Sequence, residues 1–238
     1  MSTTTGKRNF RWRNDKPSTL SFTIALDGGD PSNMIEYRDA LYQWKAPFND
    51  SPVFLTKVKN RISGIYWGNS QTAIITDRWW NTRNTKTYVF NPSDPDIQSK
   101  IINDRNYQDV YNDPGRFIQR KNKYNKSVLL LDKNTAFTIG NGFTKNGQFP
   151  FIDKINLSDG ESERYYQSSY KDKYENIIDL DLNKNKILVR IESPSEYPNY
   201  YINSLNTNQL DQLTFFQIPY KSLENIEKKI ISYKRDDG

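Results

Sequence analysis

Four stretches of the chain repeat one pattern: LYQWKAPFNDSPVFLTK, TYVFNPSDPDIQSKIIN, FIDKINLSDGESERYYQ and YYINSLNTNQLDQLTFF. Each reads as an aromatic-rich strand, a polar turn and a second, more polar strand. They begin at Leu41, Thr87, Phe151 and Tyr200, at intervals of 46, 64 and 49 residues. Four-stranded propeller blades recur at roughly 40–50 residues, and an insertion at Tyr107–Asn125 would lengthen the middle interval. Short strands at even spacing also suit a β-sandwich or two small β domains. The repeat favours the propeller.

The runs between these echoes complete the pattern. Ser18–Leu26 alternates through Leu20, Phe22, Ile24 and Leu26, which places four apolar side chains on one face of a strand. Asp27-Gly28-Gly29-Asp30-Pro31 breaks it, and Arg38–Ala46 alternates again through Ala40, Tyr42 and Trp44. Asn141-Gly142, Asn146-Gly147 and Asp159-Gly160 are turn signals further on. The expected fold class is all-β, a partial β-propeller of about four four-stranded antiparallel blades over 9–227. The blades fall at 9–58, 61–103, 126–168 and 173–214, with an insertion at 104–125 and a flexible lead-in at 1–8. LENIEKKII, near the C-terminus, reads as an amphipathic turn or two. An arc of blades exposes end faces that a ring would cover, so the chain is expected to need further blades.

Composition agrees and narrows the chemistry. Aromatic residues make up 14% of the chain, and there are only two Met, a bias towards pleated sheets rather than helical bundles. Cys is absent, which excludes disulfides, thiolate nucleophiles and Cys-based metal sites. His is absent too, and with it the commonest general base and transition-metal ligand. No metal or cofactor is expected. The net charge of +6 comes from interspersed signs. Its densest basic patch, Arg116, Arg120, Lys121, Lys123 and Lys126, reads as a solvated loop rather than a nucleic-acid face. Neither a signal-peptide core nor a membrane-length apolar run is present, so the chain is expected to be soluble, cytoplasmic or periplasmic, with no membrane partner.

The stretches DKPSTLSFTIALDGGDP, YRDALYQWKAPF, GIYWG, DRWWNTRNTKTYVFNPSDPD, DRNYQDVYNDPG, ESPSEYPNYY and QLTFFQIPYKSLENIEKKIISYKRDDG resemble the propeller of glutamyl endopeptidases. These belong to the prolyl oligopeptidase family of serine peptidases, found in bacteria and plant chloroplasts. The resemblance runs from about Phe10 to Gly238. It implies a ring of about seven blades over an α/β-hydrolase domain carrying a Ser-Asp-His triad. This chain would hold the later blades only, with 228–238, ending in Lys234-Arg235-Asp236-Asp237-Gly238, as the start of the linker to the missing hydrolase domain. Its implied role is to gate peptide access in the parent enzyme. The alternative is a free-standing propeller-like module that binds a protein or ligand. The nearest approach to a G-x-S-x-G elbow is Gly68-Asn69-Ser70-Gln71-Thr72, which lacks the last Gly and sits in a hairpin-like turn. With no His to serve as base, this chain alone is expected to be inactive, and no catalytic residue is assigned.

Three clusters are candidates for substrate contact. In Asp77-Arg78-Trp79-Trp80-Asn81-Thr82-Arg83, the adjacent Trp79 and Trp80 cannot share one face of a strand. Arg78 and Arg83 offer guanidinium forks suited to an acidic side chain. The competing reading packs a Trp between blades and pairs the arginines with Asp77 or Asp104. Asn112 and Asp113 lie in a tight turn that either shapes a substrate chamber or is purely structural. Glu192 and Glu196, in a Pro-stiffened loop, either bind a peptide N-terminus or work as acid and base, or are simply solvated.

Overall fold

The computed structural model describes residues 1–219 and 231–237. Among these residues every regular element is a strand, and no helix is long and apolar enough to cross a membrane. Strands β1 (Arg8–Trp12), β2 (Thr19–Ala25), β3 (Asp39–Lys45) and β4 (Val53–Val58) form the first antiparallel sheet in chain order. The second repeats that order with β5 (Arg61–Trp67), β6 (Ala73–Trp79), β7 (Asn84–Phe90) and β8 (Lys100–Asn106).

A short strand β9 (Arg116–Phe117) and the hairpin β10 (Gln119–Lys121) and β11 (Ser127–Leu129) follow. The third sheet contains β12 (Leu131–Asp132) and β13 (Thr135–Gly140), then, beyond the hairpin β14 (Phe143–Thr144) and β15 (Gly147–Gln148), β16 (Phe151–Asn156) and β17 (Ser162–Gln167). Strand β9 pairs with β13 as a fifth member. The fourth sheet is β18 (Tyr174–Asp181), β19 (Lys186–Glu192), β20 (Asn199–Ser204) and β21 (Gln209–Gln212). The four sequence echoes are the last two strands of these four sheets, and the fold class is that of β-propeller blades.

The chain divides into two compact units, Met1–Gly140 with Ile152–Tyr165, and Asn141–Phe151 with Tyr166–Gly238. In the first unit, successive sheets bury their faces on one another. Leu41, Leu55 and Val58 of the first sheet pack with Trp67, Ala73, Ile75, Tyr88 and Phe90 of the second. Ile74, on the opposite face of the second sheet, packs with Leu129, Ala136 and Leu157. Alternation along a strand gives both faces an apolar set, as a sheet covered on both sides requires.

Two buried polar clusters fix the joints. Arg61, at the start of β5, donates to Asp27 (2.6 Å) and Asp39 (2.9 Å) of the first sheet, both fully buried. Arg38 adds a bond to Asp27 (2.9 Å) and Arg8 one to Asp39 (2.6 Å). Burial pushes the Asp27 carboxyl up, but the hydrogen bonds from Arg61 and Arg38 outweigh it and hold the group below its ordinary range. Asp77, inside β6, has no cationic partner among the described residues. It accepts from the Asn60 amide (2.9 Å) and side chain (3.0 Å), the Lys86 amide (3.0 Å) and the Tyr88 hydroxyl (2.7 Å).

Residues 1–8, expected as a flexible lead-in, lie against the first sheet. The Thr3 amide donates to Gly29 (3.0 Å), and the Lys7 ammonium sits 4.7 Å from the Trp44 ring centroid. Gly29 has φ +79°, and a Cβ there would meet the Thr3 carbonyl at 2.1 Å. The 104–125 stretch, expected as an insertion, contains the end of β8 and all of β9 and β10. Strands of two or three residues carry too little periodicity to read from sequence. LENIEKKII lies outside the described residues except for Ile231, as do the first three residues of the expected 228–238 linker and its final Gly238.

Candidate functional site

Two arginines, Arg78 and Arg83, are presented at the β6–β7 turn. Alternation along β6 sends Asp77 inward, Arg78 outward and Trp79 back towards the first sheet, where the Arg38 guanidinium lies 4.3 Å from its ring centroid. Trp80, already in the turn, is 59% exposed. Arg83 closes the turn in the left-handed region (φ +56°) and folds back over the Trp80 ring at 3.7 Å. It also donates to the Trp80 carbonyl (2.8 Å) and the Tyr107 hydroxyl (3.4 Å). Arg78 lies 4.4 Å from the Tyr107 ring centroid. Stacking on aromatic faces orders a guanidinium while leaving its N–H edges available.

The two adjacent tryptophans thus separate as expected, one between sheets and one at the surface. The pairing of Arg78 or Arg83 with Asp77 or Asp104 does not occur. Asp77 is enclosed by neutral donors, and Asp104 is taken by Lys86 and the Asn84 side chain (2.6 Å). Among the described residues neither arginine has a carboxylate partner. Tyr107, which holds both, is absent from the sequence candidates. Its only signal is its place directly after the DRN that ends β8.

Asn112 and Asp113 belong to the loop that leaves Tyr107, where they have internal partners. Asn112 donates to Asp109 (2.7 Å). Asp113 accepts from Arg105 (2.9 Å) and from the Gly115 amide (2.9 Å). Gly115 has φ +84°, and a Cβ would meet the Ile139 carbonyl at 2.2 Å, so YNDPG closes a loop against β13. Gly68–Thr72, the partial elbow, is the hairpin turn between β5 and β6, with the Gly68 and Asn69 amides both donating to Thr72 (3.1 and 3.0 Å).

Glu192 and Glu196 lie in the second unit, along a cleft of about 690 Å³. Glu196 takes the Lys173 ammonium on both oxygens (2.7 and 2.8 Å), and Glu192 is bonded to Arg190 (3.1 Å). The Lys173 ammonium is held above its ordinary range chiefly by the Glu196 hydrogen bond. Each carboxylate has its own cation, an arrangement unlike an acid–base couple sharing a proton. Among the described residues no group of three or more acids is placed to hold a metal ion.

One carboxyl in this unit went unmarked in the sequence. Glu175 is fully buried, accepts from the Tyr166 hydroxyl (3.0 and 2.8 Å), and is pushed above its ordinary range by burial. A carboxyl with a raised folded-state pKa stabilises the fold fully below its unfolded value. That contribution is lost as pH rises from the ordinary carboxylate value through the raised one, at about 1.4 kcal/mol per pH unit. In urea titrations across pH 4–8, Glu175→Gln is therefore expected to flatten the pH dependence of this unit, and an unchanged slope would contradict the assignment.

No protein-family model matches the chain. Its sequence is 34% identical to a probable chloroplastic glutamyl endopeptidase of Oryza sativa subsp. japonica, over 98% of this chain. Over that length the chain is similar in sequence to the glutamyl endopeptidases. The corresponding Arabidopsis thaliana protein is 32% identical over the same share. The match spans about a quarter (26%) of the length of these curated relatives. Among solved structures, oligopeptidase B from Leishmania major aligns with 86% of this chain and 33% of its own, at TM-score 0.43 and 7% identity. TolB from Acinetobacter baumannii aligns with 83% and 42%, at TM-score 0.39 and 13% identity.

Proposed function

We propose that this chain is a non-catalytic propeller portion of a serine peptidase of the prolyl oligopeptidase family, which controls how peptides reach a hydrolase domain outside these residues. The observation that carries this reading is the near full-length match to a quarter of the glutamyl endopeptidases, in a chain without His. The outer face of the first sheet supports it. Phe10, Phe22, Tyr42 and Phe54 form a ladder across the strands, with successive ring centroids 5.1, 5.6 and 5.7 Å apart. Tyr42 stands on the sheet face that matches the Tyr88 face of the second sheet, which packs against the sheet before it. Phe22 within the ladder is already buried, with the Lys7 ammonium 5.4 Å from its ring centroid. Phe10 at the edge stays 47% exposed and is the ring a further blade would cover.

Arg78 and Arg83, ordered on rings and without carboxylate partners among the described residues, are the groups suited to meet acidic side chains of a peptide. The purified chain is expected to leave fluorogenic Glu-containing peptides uncut. Cleavage blocked by a serine-directed inhibitor would overturn the reading. In a chimera where this chain replaces the matching quarter of the Oryza sativa relative, Arg78→Ala with Arg83→Ala is expected to raise KM for such peptides about tenfold, with kcat largely kept. An unchanged KM would remove the arginines from the substrate path.

A further inference from the structure

At the end of the first sheet opposite Arg61, a second feature owes nothing to the peptidase reading. Trp12 ends β1, and the loop after it faces the β10–β11 hairpin across a cleft of about 340 Å³. Two hydrogen bonds tie the walls together although they are far apart in the chain. Asn14 donates to the Ser127 carbonyl (2.8 Å), and Asn122 donates to the Asn14 carbonyl (2.7 Å). The Asn122 side-chain oxygen also accepts from the Tyr124 amide (2.9 Å) and the Lys126 amide (3.1 Å), which fixes the hairpin tip. Trp12, Pro17 and Tyr124, which line the cleft, therefore stand beside braced backbone. Trp12 packs against Phe48 (6.2 Å between centroids) yet stays 56% exposed, and Tyr124 is 42% exposed.

The charges are one-sided. Arg13 is consumed, bonded to both Asp15 oxygens (3.0 and 2.6 Å) and to Gln43 (2.6 Å), so Asp15 is neutralised as well. That leaves the ammonium groups of Lys16 and Lys126 on the rim, exposed and without a carboxylate partner among the described residues. An apolar floor between two aromatic side chains, with a cationic rim, is complementary to a ring flanked by negative charge.

We propose that this cleft binds an acidic peptide segment, which inserts one aromatic side chain between Trp12 and Tyr124 and sets flanking carboxylates against Lys16 and Lys126. A peptide fits better than a nucleic acid. Single-stranded nucleic acid asks for a row of stacking platforms along a cationic track, whereas this cleft of about 340 Å³ is lined by two aromatic side chains only. The guanidinium fork that would suit a phosphate is already engaged by Asp15.

The test uses the full chain and fluorescence anisotropy with a labelled Glu-Glu-Trp-Glu-Glu peptide. The same peptide with Ala for Trp, a Lys-flanked version, and a short oligothymidylate of equal charge serve as comparisons. Binding of the first peptide alone is expected. It should weaken about tenfold in Tyr124→Ala, the loss of one aromatic contact. It should weaken at least as much in Lys16→Glu with Lys126→Glu, where added salt should relieve the new repulsion instead of weakening binding further. Tyr124 is exposed on a turn held by Asn122, so its removal leaves the fold intact, whereas Trp12→Ala also empties the contact with Phe48. No binding at millimolar peptide, equal binding of the Ala peptide, indifference to Tyr124→Ala, or tighter binding of the oligonucleotide would each overturn the proposal.

Discussion

Asp77→Ala is expected to destabilise the first unit by about 4 kcal/mol, as the loss of four hydrogen bonds at a buried acceptor implies. The carboxylate is enclosed inside β6, and among the described residues no cation shares its charge. Its four donors are the Asn60 amide and side chain, the Lys86 amide and the Tyr88 hydroxyl. Alanine leaves all of them facing a void, and the two backbone amides cannot turn away. Asp77→Asn keeps one acceptor oxygen but points an amino group at donors, so about half the loss should remain. Tyr88→Phe removes one donor to Asp77 and the acceptor of the Lys59 amide, and should cost about 1 kcal/mol. Urea denaturation followed by Trp fluorescence gives the ranking. A loss under 1 kcal/mol for Asp77→Ala would mean the site is open to water.

Arg61→Ala should cost about 3 kcal/mol, the low end for breaking a buried ion pair. Two of the bonds it makes span the joint between the first and second sheets, one to each of two fully buried carboxylates. The figure stays at the low end because Asp27 keeps Arg38 and Asp39 keeps Arg8. The remaining charges balance, so the loss comes from unmade hydrogen bonds and an open joint rather than from a stranded charge. Arg61→Lys should recover little, since one ammonium cannot fork between both acids. The same denaturation curves test this, with Arg8→Ala, at the edge of the network, expected to cost less than Arg61→Ala.

The strands of the four sheets were legible where alternation ran for five residues or more. Phe22, Tyr42 and Leu41 declare their faces because side chains on a strand alternate with period 2. The turn residues gave the same help, and Gly29 and Gly115 occupy backbone that a Cβ would block. The short pairings β9–β13 and β10–β11 were not legible, since two or three residues define no period. Of the candidate residues, Arg83 stacks on Trp80 and Arg78 on Tyr107, which the sequence did not single out, while Glu192 and Glu196 have separate cations.

By itself the sequence determined the chemistry available and the kind of sheet. A chain with no His or Cys and an aromatic strand pair repeated four times builds antiparallel blades and has few residues for catalysis. Only the tertiary structure decided which charges are spent. Asp77 and Asp104 look like partners for Arg78 and Arg83 in the sequence, yet one is sealed among neutral donors and the other is claimed by Lys86. Charge neutralisation depends on distances of a few ångströms between residues remote in the chain, and local sequence carries no record of those distances.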